Sequence, residues 1–218
     1  MKINEKTYIL FDLDGTLTYS AEGITNSVAH SLRRFGLEVP DRSQLYKFVG
    51  PPLAVAYMKY CGFDESKAKL AVEYYREYYR EKGIFENSVY DGIPELLEEL
   101  VKCGKKLVVA TSKPAIFSEK ILRHFSLDKY FVFLSGSELD GTRVKKDEVI
   151  KYALDNAHIS PDDAVMIGDR SHDIEGAKAN GLPSVGVLYG YGDRAEHESA
   201  GADFIAESVS ELRGLLLG

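Results

Sequence analysis

Cysteine is scarce in this chain, with two in 218 residues. Cys61 and Cys103 lie far apart and outside any CxxC spacing, which argues against a disulfide framework or a thiolate metal site and leaves two free thiols, as expected in a reducing compartment. No apolar run approaches the ~20 residues that a membrane-spanning helix needs. The opening MKINEK lacks the apolar stretch of a secretory signal. A cytoplasmic protein without a membrane partner is expected. Positive charge is also in deficit, 27 Lys and Arg against 34 Asp and Glu for a net charge of −7, which argues against a nucleic-acid polymer as partner. The histidines show no clustering, so a histidine metal site is not expected. Internal repeats and low-complexity linkers are missing too. What remains is the composition of a soluble globular protein, 44% hydrophobic and 28% charged, long enough for one large domain or a core with a smaller appendage.

The chain is organised around TYILFDLDGTLT, Thr7 to Thr18. Tyr8 to Phe11 reads as a short buried strand that ends in Asp12 and Asp14 and then turns at Gly15. Two like charges held close at a strand end are costly unless a cation neutralises them or a reaction uses them. Residues 20–85 then read as purely helical. Ser20 is placed to cap a helix with Ile24, Val28, Leu32 and Phe35 on one stripe, Pro52 suits the first turn of a helix over 53–61, and Asp64 caps a longer helix carrying Tyr74, Tyr75, Tyr78 and Tyr79. At helical spacing these tyrosines read as packing. From Gly92 the pattern alternates between helix and strand, with strands at 106–110, 131–134, 164–167 and 184–188. Such alternation predicts an α/β fold, a Rossmann-like parallel sheet with helices on both faces, here with a small all-helical insertion after strand one. The domain reading is a core of 1–19 and 86–218 with a helical cap of 20–85.

In an open α/β sheet, ligands bind outside the carboxyl ends of the strands. The first strand ends in Asp12 and Asp14, the second in Thr111 and Ser112, and the fourth in Asp169 and Asp173. Lys145 and Lys146 lie at a helix start just before that fourth strand. Gathered at one sheet edge, several carboxylates without His or Cys match Mg²⁺, a hard cation that prefers oxygen ligands. The same edge would supply an ammonium, hydroxyls and backbone N–H groups, a site for a phosphate dianion. Of the two adjacent lysines only one can face such a site.

The set DLDGTL at 12–17, VVATS at 108–112, a Lys near 146 and GDRSHD at 168–173 resembles the haloacid dehalogenase superfamily of phosphohydrolases, across nearly the whole chain. The helical insertion is similar to the cap of one branch, and within it to phosphoglycolate-phosphatase-like members. FVGPPL at 48–53 is similar to a subgroup described as 5′-nucleotidases. Tyr19 departs from the Asp that many relatives carry there. The resemblance implies an enzyme, a Mg²⁺-dependent phosphatase of a small phosphorylated metabolite. It makes Asp12 the nucleophile that forms an aspartyl-phosphate, and Asp14 the general acid and then base. Thr111 and Ser112 would hold the phosphoryl oxygens, and Lys146, the lysine the resemblance favours, would neutralise charge. Asp12, Asp14 (through its carbonyl) and Asp169 would hold the metal, with Asp173 either joining them through water or orienting Lys146. Gly50, Pro51 and Pro52 of the cap are expected to contact substrate. Alternatives are a 5′-nucleotidase acting on nucleoside monophosphates and a phosphomutase similar to β-phosphoglucomutase. A receiver-type signalling module shares the acidic cluster but lacks the insertion. Either a monomer or a homodimer is compatible with an exposed cap.

Overall fold

The computed structural model describes residues 2–218, which form two compact units. One holds the chain up to Thr18 and from Val89 onward, and the other is Tyr19–Ser88. After a 3₁₀ turn at Ile3–Glu5 the chain enters β1 (Tyr8–Phe11), and it crosses between units at β2 (Thr18–Tyr19) and again at β3 (Ser88–Val89).

The unit between the crossings is helical, with α1 (Ala21–Arg34), α2 (Arg42–Leu45), α3 (Leu53–Cys61) and α4 (Glu65–Tyr78). Asp64 caps α4 by accepting from Lys67 N at 2.7 Å, a contact worth about 1 kcal/mol. The helix then loosens into a π turn, Tyr79–Gly83. Helices α1 and α4 pack together, and Ser31 Oγ donates to Ala71 O at 2.8 Å between them. The four tyrosines serve this packing. Tyr75 and Tyr79 are buried and stacked at 5.2 Å. Tyr74 lies against Phe35 and under the Arg34 guanidinium, while the Tyr78 hydroxyl donates to Glu86 Oε1 at 2.8 Å. Gly50, Pro51 and Pro52 make the turn that leads into α3, with Gly50 at φ +101°.

The core unit continues through α5 (Ile93–Lys102), β4 (Lys106–Pro114), α6 (Ala115–His124), β5 (Phe131–Ser137), α7 (Lys146–Asn156), β6 (Ala164–Gly168), α8 (Ser171–Ala179), β7 (Ser184–Val187), α9 (Arg194–Ala200), β8 (Phe204–Ala206) and α10 (Val209–Leu217). Its sheet is parallel throughout, in the order β5-β4-β1-β6-β7-β8. The strands are short apolar runs buried on both faces, as parallel strands between helices must be. Leu10, Val108, Ala110 and Met166 meet α7 and α8 through Val149, Ile150, Ala153 and Ala177. Because side chains alternate, Ile9, Phe11, Val109 and Ile167 fall on the opposite face. They are equally buried. Each such aliphatic side chain contributes about 1.5–3 kcal/mol.

Two strands run further than their apolar cores predict. β4 continues past Ala110 to Pro114, where a register shift lets Pro114 pair with Ser137 at the end of an equally extended β5. Ser137 Oγ donates to Ser112 O at 2.8 Å and helps hold this extension. The short edge strand β8 and helix α9 carry too few residues for a periodic signal. They form because β8 adds to β7, and because Asp193 caps α9 by accepting from Glu196 N.

Candidate active site

β1 lies between β4 and β6, with Phe11 opposite both Val109 and Ile167. The connections leave β1 toward β4 on one side and return to β6 on the other. The end of β1 is therefore the switch point at which α/β sheets bind ligands. Asp12 stands there, its N–H donating to Ile167 O at 2.9 Å. The parallel register brings Thr111 and Asp169 to the same edge. Asp12, Thr111, Lys146, Asp169 and Asp173 are all buried.

Lys146 organises the cluster. Its Nζ lies 2.6 Å from Asp12 Oδ1 and 2.7 Å from Asp173 Oδ1, and donates to Ala110 O at 3.0 Å. Burial works against its charge, but Asp12 and Asp173 outweigh it and raise the ammonium pKa. Lys145, one residue earlier at the cap of α7, is exposed. Packing of α7 and α8 turns only the second lysine inward. Asp173, in the first turn of α8, also accepts from Arg170 N at 3.1 Å.

One oxygen from each of Asp12, Asp169 and Asp173 lies within 4.8 Å of the others. Lys146 brings one positive charge to these three carboxylates. Burial pushes Asp12 up to about 6 against the pull of Lys146, with Asp173 and Asp14 adding to the rise. Burial, reinforced by Asp173 and Asp12, holds Asp169 well above the usual carboxylate range. Asp169 Oδ2 accepts from Tyr191 N at 2.8 Å, while its buried Oδ1 has no hydrogen-bond partner among the described residues. Excess negative charge, an unsatisfied carboxylate oxygen and an all-oxygen donor set fit a hard divalent cation.

Asp14 takes a different partner. Its Oδ2 accepts from Lys113 Nζ at 2.5 Å, and both side chains are largely buried. Thr111 Oγ1 accepts from Lys113 N at 3.3 Å. Within the core unit the structure thus gathers Asp12, Asp14, Thr111, Ser112, Lys146, Asp169 and Asp173 at the carboxyl edge of the sheet. Gly50, Pro51 and Pro52 belong to the helical unit. His172 is exposed.

Two contributors escape the sequence pattern. Lys113 follows Thr-Ser and precedes Pro, which reads as a turn. The loop 190–192 reads as a turn, with a place at the site entrance as the alternative, and it is built against the site. A Cβ on Gly190 would lie 2.3 Å from Gly15 O and 2.4 Å from Asp169 Cβ. Gly15 itself turns at φ +86°, and a Cβ there would lie 2.1 Å from Asp169 Oδ2. Glycine at 190 lets the backbone come close enough for Tyr191 N to reach Asp169. Gly190→Ala is therefore expected to displace Asp169 and lower kcat/KM about 100-fold, the usual cost of misplacing part of a site by an ångström. A retained melting temperature with that loss would locate the effect in the site, and full activity would refute the close approach.

The comparisons with known proteins agree with this geometry. Residues 9–187 match the family model described as haloacid dehalogenase-like hydrolase. The chain is 49% identical to a 5′-nucleotidase of Pseudomonas aeruginosa over 95% of its own length and 94% of the relative's. It is also 40% identical to the tyrosine-protein kinase PtkA of Mycobacterium tuberculosis, over 95% and 72% of the two lengths. Among solved structures, that of a predicted phosphatase from Clostridium acetobutylicum superposes with a TM-score of 0.95 at 54% identity, covering 97% of this chain and 98% of the other. With the acidic triad at the switch point of a parallel sheet, a helical insertion after its first strand and a family match over most of its length, the chain belongs to the haloacid dehalogenase-like hydrolases.

Proposed function

We propose that this protein is a Mg²⁺-dependent phosphatase that hydrolyses a small phosphomonoester through an aspartyl-phosphate on Asp12. The observation that carries the reading is the surplus of buried negative charge, three carboxylates about one ammonium. Asp12, Asp169 and Asp173, with the Asp14 carbonyl, would hold Mg²⁺, which would supply positive charge toward the phosphoryl oxygens. Phosphoryl transfer asks chiefly for positioning and charge neutralisation. Thr111 and the Ser112 N–H orient the phosphoryl oxygens, and Lys146 offsets charge on Asp12 and on the group it receives. Asp12 Oδ forms the new bond to phosphorus as the ester P–O bond breaks. The departing oxygen takes its proton from Asp14, which then accepts one from the water that hydrolyses the aspartyl-phosphate.

The 49% identity to a protein named 5′-nucleotidase favours nucleoside 5′-monophosphates as the first substrates to try. The phosphoglycolate reading is supported by 30% identity to a protein named phosphoglycolate phosphatase over 97% of both lengths, and a phosphomutase would use the same Asp pair. We assign Gly50, Pro51 and Pro52 to contacts with the leaving group. A cytoplasmic location is part of the proposal. Its support is that no helix among the described residues is long and apolar enough to cross a membrane.

The test is release of inorganic phosphate from nucleoside monophosphates, phosphoglycolate, sugar phosphates and pyrophosphate, with Mg²⁺ or with EDTA. Release that needs Mg²⁺ and falls at least about 100-fold in EDTA is expected, from the loss of charge stabilisation at the phosphoryl group. Isomerised sugar phosphate without free phosphate would move the assignment to a mutase.

A further inference from the structure

The Lys113–Asp14 ion pair has no place in the catalytic scheme so far. Lys113 lies on the extended part of β4, two residues after Thr111, and its Nζ is 2.5 Å from Asp14 Oδ2. Only 7% of the Lys113 side chain and 12% of the Asp14 side chain is exposed. An ion pair this far from water is not surface decoration, since desolvating both partners is costly unless the geometry is good. The two lysines of the site have separate duties. Lys146 serves Asp12 and Asp173, and Lys113 serves Asp14.

The pair also distinguishes the two oxygens of Asp14. Oδ2 is occupied by the ammonium, whereas Oδ1 is buried and has no hydrogen-bond partner among the described residues. We infer that Lys113 is a positioning residue that clamps Asp14 through Oδ2 and so presents Oδ1 as the oxygen that hands a proton to the leaving group. The assignment rests on Asp14 acting as the general acid of a phosphatase. Oδ1 takes up a proton from solvent before the reaction; when the ester P–O bond breaks, its electron pair goes to the departing oxygen and that proton moves to it. Oδ2 remains an acceptor for Lys113 before and after, so the clamp need not break. The same orientation suits the return of a proton from water to Oδ1. A Lys on β4 can do this because β4 runs beyond its apolar segment. Had the strand stopped at Ala110, Lys113 would be a loop residue.

The consequence depends on the leaving group. An alkoxide departs poorly without a proton, whereas p-nitrophenolate departs well without one. For Lys113→Met, kcat/KM, which reports steps through ester cleavage, is expected to fall about 100-fold on an alkyl phosphate such as a nucleoside 5′-monophosphate, within the range of general acid catalysis. On p-nitrophenyl phosphate the fall should be less than about fivefold by the same reasoning. Lys113→Arg, which keeps the charge, should recover a large part of the alkyl activity and guards against a methionine variant that folds poorly. Equal losses on both esters in both variants, or no loss on either, would overturn the inference. Wild-type protein that cleaves neither ester would overturn the phosphatase reading, and this inference with it.

Discussion

Asp12→Asn is expected to abolish phosphate release, by at least about 10⁴-fold, while making the protein more stable in the absence of divalent cation. The first effect follows because an amide cannot form the phosphorylated intermediate, and losing a nucleophile commonly removes nearly all turnover. The second follows from the surroundings of Asp12. Its carboxyl is buried, and burial outweighs Lys146 to raise its pKa to about 6. Unfolded, the group titrates near the ordinary ~3.9. Between those two values the folded state holds more protons, so this group's contribution to stability falls as pH rises through the window. Above it the ionised form is the costlier one. Asn avoids that cost. Melted without Mg²⁺ at pH 7.5, the variant should exceed wild type, and the gap should close toward pH 4. A gap independent of pH would mean that Lys146 already neutralises Asp12 in full. Adding Mg²⁺ should stabilise wild type and narrow the difference, since a ligand bound only by the folded state raises its stability.

What the sequence discloses of this site is what is local. Asp12, Thr111 and Asp169 each follow a short apolar run, and a parallel sheet must bring such strand ends to one edge. Their grouping therefore follows from pattern and topology alone. Lys113 is different, because nothing between it and Asp14, 99 positions earlier, signals a pair. Only the continuation of β4 beyond Ala110, held by β5 and the Ser137–Ser112 contact, points it inward. The choice between Lys145 and Lys146 is also tertiary, since both sit at the start of α7 and only packing on α8 selects one. Tyr191 contributes a backbone N–H, which no side-chain pattern can advertise. Edge strand β8 and helix α9 exist through capping and pairing with neighbours, so periodicity leaves them blank. Within the helical segment the tyrosine row follows helical spacing, and its packing role was readable from that.

Lys146→Met should have the next largest effect, on both activity and stability. The variant removes the ammonium that pairs with Asp12 and Asp173 and leaves three buried carboxylates facing one another. Removing one partner of a buried ion pair costs about 3–5 kcal/mol, far more than the pair itself contributes. For a chain of this size that is a fall in Tm of roughly 10 °C without divalent cation. Turnover should drop about 10³-fold, since a fixed positive charge beside the transferring phosphoryl group is lost. The two losses separate in the double variant Lys146→Met with Asp173→Asn. Neutralising Asp173 relieves the repulsion, so most of the lost Tm should return, and the pair should show strong non-additivity as groups in direct contact do. Activity should stay down, because charge balance is restored without a cation at Asp12. Recovery of both would show that Lys146 acts only by holding the cluster together. Additive losses in stability would show that Lys146 and Asp173 do not depend on each other, against a separation of 2.7 Å.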